Sequence, residues 1–219
     1  MKFYFTTILS LLVGLISLGQ DDYVKSTVSR NNAYSLNLYK SFNSNSENTV
    51  LSPFGISTCM AMAYIGSEGK TQESIAKEMN YITPFGVLFS FKQLIKRYQI
   101  YKSNDINLLI DNSLWANSNY DLQKKYKNML KMNFAAHVQS ISMSSNGDKN
   151  AKAINRWVKK SSNFNIRNII NAENISEFDN LIYTNYVYLM VTGKTLLMNN
   201  LRAKMIFTVP IVQKPRLIL

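Results

Sequence analysis

The sequence has little of the chemistry on which most active sites depend. Its 219 residues include one cysteine, Cys59, and one histidine, His137. A single cysteine excludes a disulfide within the chain, and one cysteine with one histidine cannot supply a structural zinc site. His137 stands in an apolar, strand-like run with no nucleophile elbow near it, so nothing supports a serine triad. We therefore predict no enzyme, no metal and no cofactor, and we interpret Cys59 as a small buried hydrophobe.

Glycine is also scarce, with 8 residues, and a Gly-Lys-Thr triplet that looks like a phosphate-binding loop is not one. A P-loop needs a second glycine five residues before its Gly-Lys pair. Tyr64 occupies that place ahead of Gly69, and a second Gly-Lys-Thr fails in the same way. We predict instead that residues 66–71 turn the chain between two helices, with Lys70 facing solvent and Thr71 capping the second helix.

Long apolar runs are confined to the N-terminus. Lys2 is followed by an apolar run over residues 8–16 and then by the small residues Ser17 and Gly19. This pattern is typical of a secretory signal peptide, and the run is too short to span a bilayer. We expect residues 1–19 to be the signal peptide and the mature chain to be secreted, extracellular and without a membrane span.

Acidic residues are outnumbered, 13 against 25 lysines and arginines, which gives a formal net charge of +12. Much of the excess lies in two segments: Lys92, Lys96, Arg97 and Lys102, then Lys124, Lys125, Lys127 and Lys131. Outside the cell such a surface favours a glycosaminoglycan or an acidic membrane over nucleic acid, whose recognition modules are missing from the sequence. The alternative is that both segments are ordinary solvated helix faces.

The content of 46% hydrophobic and 12% aromatic residues predicts a folded domain. Residue periodicity predicts helices over residues 26–42, 56–64, 122–134 and 148–158, and strands over residues 49–52, 105–116, 135–143 and 181–188. Helices that precede long strands indicate an α+β fold.

Three blocks of sequence together resemble the serpin family, in family order, between about residues 28 and 188. They are NTVLSPFGISTCMAMAYIGSEGKT, DNSLWANSNYDLQKKYKNMLKMNFAAHVQSIS and AINRWVKKSSNFNIRNII. The resemblance implies an α+β, serpin-like fold in which N-terminal helices pack on a large central β-sheet. Residues 20–188 would form the N-terminal part of that domain, which is incomplete at the C-terminus.

The resemblance also implies a function. Serpins inhibit serine and sometimes cysteine proteases: an exposed bait loop is cleaved and then inserts as a new strand into the central sheet. Ser52, Pro53 and Asn185 match the region where that sheet opens. The bait loop corresponds to family segments beyond residue 219, so we expect this chain not to inhibit by itself. The competing interpretation is a non-inhibitory secreted protein that binds glycosaminoglycan.

The tail departs from the family pattern, which continues after Tyr188 with Gly-x-Trp and a later phenylalanine. Our hypothesis is that residues 189 to about 200 are read out of frame, because shifted codons force a glycine and, with suitable wobble bases, yield Tyr-Gly-Asn-Trp-Glu-Asn-Ser-Phe. True divergence or a splice variant is the alternative. We therefore interpret residues 189–219 as a divergent tail.

One segment matches the acceptor signal for N-linked carbohydrate. Asn174, Ile175 and Ser176 form an Asn-x-Ser triplet. Because such a site is used in secreted proteins, Asn174 is a candidate glycosylation site.

Overall fold

The computed structural model describes residues 2–41, 50–100, 102–103, 106–143, 147–191 and 211–213. The helices in these ranges are α1 (Lys2–Ser41), α2 (Pro53–Ile65), α3 (Gly69–Met79), α4 (Pro84–Ile100), α5 (Lys124–Phe134), α6 (Gly147–Ser161) and a short 3-10 helix (Ala172–Asn174). The strands are β1 (Lys102–Ser103), β2 (Ile106–Asn117), β3 (His137–Ile141), β4 (Leu181–Val191) and β5 (Ile211–Gln213). None of the described helices is both long enough and apolar enough to cross a membrane.

The strands form one mixed sheet in the order β1-β2-β4-β5, with β3 also paired to β2. Its centre is the long antiparallel pair of β2 and β4, which is in register from Ile106 opposite Val191 to Ala116 opposite Leu181. Strand β3 lies parallel to β2, beginning at Ser113 opposite His137. Strand β5 pairs antiparallel with the other side of β4, at Tyr183–Asn185.

Both faces of the sheet are covered. On one face Leu114 and Tyr183 pack with helices α2 to α5, in a cluster that includes Met62, Phe91 and Phe134. On the opposite face a second cluster joins the sheet to α6, and its members include Trp115, Ile154, Val158, Ile182 and Tyr186. A sheet covered on both sides explains why β2 and β4 are apolar along much of their length.

The helix-first, strand-later pattern expected from the sequence is confirmed as an α+β fold. Helix α2 begins with Pro53 in its first turn, and the Ser52 hydroxyl accepts a hydrogen bond from the Gly55 amide at 3.3 Å. A proline suits this position because the amide it lacks would have no partner inside the helix.

Two expectations about local structure are wrong. Helix α3 already begins at Gly69, so Thr71 lies inside it and Glu68 is the capping position. Gly69 has φ of 57°, a conformation that glycine adopts at little cost, and so the turn is completed earlier than the Thr71 signal suggests. Residues 50–52 are not a strand, because strand propensity needs a partner strand to act on.

The helix expected over residues 26–42 is confirmed in α1 as far as Ser41. The helix also extends upstream of residue 26 and includes the bond after Gly19, where we predict that the signal peptide is cleaved. That cleavage stays a prediction. Val28, Leu36 and Tyr39, whose spacing predicts a helix, are 37%, 64% and 64% exposed. The helix packs instead through residues such as Thr27, which is buried. Apolar spacing thus identified the helix but not its buried face.

Candidate functional site

The edge of β4 that faces away from β2 is the feature most able to accept another strand. The whole of β4 is hydrogen-bonded to β2 on one side. On its other side, pairing among the described residues is limited to Tyr183–Asn185, opposite β5. A strand edge with free amides and carbonyls is a template for β-strand addition. We refer to residues 186–191 of this side as the β4 edge.

Asn185 lies next to the β4 edge and is fully buried. Its side-chain amide donates to Asn112 Oδ1 at 2.7 Å and lies 3.4 Å from the Asp111 carbonyl. Asn112 in turn donates to the Phe134 carbonyl at 2.8 Å. The Oδ1 of Asn185 has no hydrogen-bond partner among the described residues. A buried acceptor without a donor is costly, so a donor brought by an additional element would stabilise this position.

Ser52 and Pro53, the other residues matched to the sheet-opening region, lie at the N-terminus of α2. Helix α2 packs against β4, which brings these residues to the same side of the sheet as Asn185. No direct hydrogen bond joins them, because the Ser52 hydroxyl bonds to Gly55 whereas Asn185 bonds to Asn112 and Asp111. The structure thus places Ser52 and Pro53 at one end of a helix that packs against β4, and it adds Asn112 as the partner of Asn185, which sequence reasoning did not identify.

The opposite face of the same strands carries a polar group that sequence reasoning also missed. The hydroxyls of Ser113 and Thr184 are hydrogen-bonded to each other across β2 and β4. The Trp115 indole donates to Ser113 Oγ at 2.7 Å. Burial raises the pKa of Tyr186, whose hydroxyl lies 2.5 Å from a carboxylate oxygen of Asp111. The only available signal was the run of polar residues within an otherwise apolar strand.

Apart from Lys102, which lies on β1, the two basic segments lie on α4 and α5, which pack against each other. Lys92, Lys96 and Arg97 of α4 are exposed, as are Lys124, Lys125 and Lys131 of α5, while Lys127 is partly buried. The side chain of Lys102 lies outside the described residues. The apolar residues of each helix, such as Phe91 and Leu130, point into the core. The arrangement fits a polyanion and equally fits two solvated helix faces.

Cys59 and His137 occupy the roles expected of them. Cys59 is fully buried in α2, and burial raises the pKa of its thiol, so it remains a neutral, unreactive group. His137 begins β3 and stacks on Trp157 of α6, with ring centroids 5.6 Å apart. Asn174 lies on an exposed turn, where its Oδ1 accepts from the Asn171 amide at 3.1 Å.

Comparisons with known proteins agree on one family. A family model described as serpin (serine protease inhibitor) matches residues 29–210. An uncharacterized serpin-like protein from Thermococcus kodakarensis is 28% identical over 165 residues, which are 75% of this chain and 38% of that protein. A solved structure of a cleaved serpin gives a TM-score of 0.63 at 28% identity and covers 73% of this chain and 43% of that one.

A second solved structure, cleaved kallistatin complexed with heparin, gives a TM-score of 0.64 and covers 73% of this chain and 48% of that one. At 17% identity it shows similarity of fold alone. The chain spans 38% of the length of its curated relative from Thermococcus kodakarensis.

Proposed function

The chain belongs to the serpin family, and on that basis we propose that it is part of a secreted inhibitor of serine or cysteine proteases. Inhibition would follow cleavage of a bait loop and its insertion beside β4. In serpins the inserting loop corresponds to family segments beyond residue 219. The inhibitor to which this chain belongs would trap proteases and would not act as an enzyme.

The β4 edge is the observation that carries this proposal. Strand β4 is long and central, and among the described residues its outer side is paired only at Tyr183–Asn185. Next to this edge, the buried Oδ1 of Asn185 has no hydrogen-bond partner among the described residues. An inserted strand would satisfy the edge amides and carbonyls and could donate to that oxygen. Strand addition is favoured where main-chain hydrogen bonds are gained on a preformed edge.

Sequencing of the transcript from the Tyr188 codon to well past the Leu219 codon is the first test. We expect a reading frame that restores Gly-x-Trp and continues into a bait loop. The product of that frame, mixed with trypsin-like, chymotrypsin-like and papain-like proteases, should form a covalent complex that survives boiling in SDS. Complete cleavage of the product without any complex would exclude inhibition.

We propose a second function, glycosaminoglycan binding, because the basic residues of α4 and α5 are mostly exposed on two adjacent helices. The related kallistatin structure contains heparin, although that ligand belongs to that protein. Clustered exposed lysines attract polyanions through a field that salt screens.

Heparin affinity chromatography tests this second function. Replacing Lys124, Lys125 and Lys127 by alanine should lower the salt concentration needed for elution. The matched control replaces three exposed lysines of α6, Lys149, Lys152 and Lys160, and so removes the same charge elsewhere. Equal losses in both variants would show that retention reflects net charge and not a site.

Secretion and glycosylation are also proposals. Expression in a eukaryotic secretory host should yield a protein whose N-terminus is Gln20. Its electrophoretic mobility should change on glycosidase treatment, and Asn174→Gln should abolish that change. An intracellular product that keeps Met1 would contradict the signal-peptide prediction.

A further inference from the structure

A carboxylate lies between α6 and the sheet. Asp111 of β2 stands directly opposite Tyr186 of β4 in the register, and the Tyr186 hydroxyl is 2.5 Å from Asp111 Oδ2. The same hydroxyl is 2.9 Å from the Oγ of Ser161, the last residue of α6. Two strands and the end of a helix are therefore joined through one hydrogen-bonded group that contains a carboxylate.

The surroundings disfavour the charge of that carboxylate. Burial raises the pKa of Asp111, and the hydrogen bonds from Tyr186 and Ser161 only partly oppose this effect. Ser161 ends α6, and the C-terminal end of a helix carries the negative pole of the helix dipole. The carboxylate thus lies where a helix repels an anion, and Tyr186 beneath it is fully buried.

The hydrogen-bond partners that shift the pKa of Asp111 are uncharged side chains. Burial raises this pKa, and the hydrogen bonds with Tyr186 and Ser161 lower it. Lys159 and Lys160, in the last turn of α6, are exposed.

Among the other ionisable groups of these elements, His137 and Tyr188 pack at this interface. His137 of β3 stacks on Trp157, and Tyr188 follows Tyr186 on β4. Each is engaged in the aromatic or apolar packing of this interface rather than in a pairing with Asp111.

We propose that Asp111 is a charge-controlled latch between α6 and the sheet. The ionised carboxylate weakens the docking of α6, and a neutral group at the same position strengthens it. The hydrogen bonds to Tyr186 and Ser161 hold α6 in place in both states, so the charge sets how often α6 opens. This inference does not rest on protease inhibition, because α6, β2 and β4 all lie within the described chain.

Hydrogen–deuterium exchange of the α6 amides, followed by mass spectrometry, tests the latch on the whole chain. Asp111→Asn keeps an oxygen that can accept from Tyr186 but removes the charge. At about pH 7.5 this variant should exchange its α6 amides about two- to fivefold more slowly than the wild type, the range expected for one charge at a helix terminus. The ratio should fall toward one as the pH is lowered, because the raised pKa makes the wild-type carboxyl take up its proton at a higher pH than an ordinary aspartate does.

Asp121→Asn is the matched control, since it removes one negative charge from an exposed loop position. It should leave α6 exchange unchanged. Tyr186→Phe keeps the charge and removes its donor, so it should accelerate α6 exchange, and by less when combined with Asp111→Asn. Unchanged or faster α6 exchange in Asp111→Asn at about pH 7.5 would overturn the proposal, as would equal effects of Tyr186→Phe in both backgrounds.

A second readout does not depend on peptide coverage. The chain has two tryptophans, Trp115 and Trp157, whose ring centroids are 6.2 Å apart at this interface. Acrylamide quenching of their fluorescence therefore reports on α6 docking. Asp111→Asn should lower the quenching constant at about pH 7.5 and Asp121→Asn should not. Increased quenching in Asp111→Asn would show that the carboxylate anchors α6 instead of loosening it.

Discussion

Replacement of Gly66 by alanine should destabilise the fold although Gly66 is exposed. A Cβ atom at this position would lie 2.5 Å from Cζ, 2.7 Å from Cε2 and 2.8 Å from the hydroxyl of Tyr126. The backbone is not the obstacle, because φ of −95° is open to any residue. The tyrosine ring must therefore move.

The cost follows from the hydrogen bonds of that ring. The Tyr126 hydroxyl donates to the Met62 carbonyl at 2.9 Å and contacts the Tyr183 hydroxyl at 2.9 Å. A cavity of about 370 Å³ borders both Gly66 and Tyr126, so the ring has room to swing and the steric clash is relieved. Two buried hydrogen bonds are lost in exchange, at about 1 kcal/mol each. We expect Gly66→Ala to lower the free energy of unfolding by about 2 kcal/mol.

Urea denaturation followed by tryptophan fluorescence measures this loss. Tyr126→Phe removes the same hydrogen bonds, so Gly66→Ala combined with Tyr126→Phe should cost about as much as either change alone. Gly69→Ala is the contrasting control: no atom lies within 4 Å of its Cβ, but its φ of 57° strains any L-residue, at about 1–2 kcal/mol. A loss below about 0.5 kcal/mol for Gly66→Ala, or full additivity with Tyr126→Phe, would refute the reasoning.

Three further predictions follow from buried polar groups. Ser90 is fully buried and its hydroxyl has no hydrogen-bond partner among the described residues, so Ser90→Ala should raise the urea midpoint or leave it unchanged. Ser113→Ala removes a hydroxyl that is hydrogen-bonded to Thr184 and Trp115, so it should lower the free energy of unfolding by about 1–2 kcal/mol. A larger loss for Ser90→Ala than for Ser113→Ala would contradict this reasoning. Cys59 should react with a thiol reagent only after unfolding, because it is buried and its pKa is raised; labelling of the native chain would show an open core. The pKa of Asp111 is raised above its ordinary value of 3.8 in the folded chain. The contribution of Asp111 to the free energy of unfolding should therefore fall as the pH rises from 3.8 through the folded-state pKa. In Asp111→Asn the urea midpoint should lose this part of its dependence on pH.

Much of the fold could be predicted because its elements carry strong local signals. The apolar run at 56–64 predicts α2, observed at Pro53–Ile65, and the apolar run at 181–188 predicts a central strand, observed at Leu181–Val191. These signals depend on residues close together in the chain, where periodicity and capping act. The resemblance of three blocks to one family then assigned the architecture.

The site could be predicted only in part because its contacts join distant residues. Asn185 matches the family pattern, but its partner Asn112 lies 73 residues away, and no local pattern pairs them. The buried side of α1 could not be predicted for a similar reason. Tyr34 packs on the core, whereas the more apolar Leu36 is exposed. Which side of α1 is buried depends on the positions of α2 and α4, which pack against it. Pairing of β5 with β4 likewise has no signal in the sequence of either strand.

Cleavage of the bait loop tests the central claim most directly. The product of the complete transcript would be cut within that loop, and hydrogen exchange of β4 would be compared before and after the cut. The account predicts that the outward amides of residues 186–191 become protected, because a new strand has joined the β4 edge. Exchange of these amides that is unchanged by the cut would contradict strand insertion, and with it the proposed inhibitory mechanism.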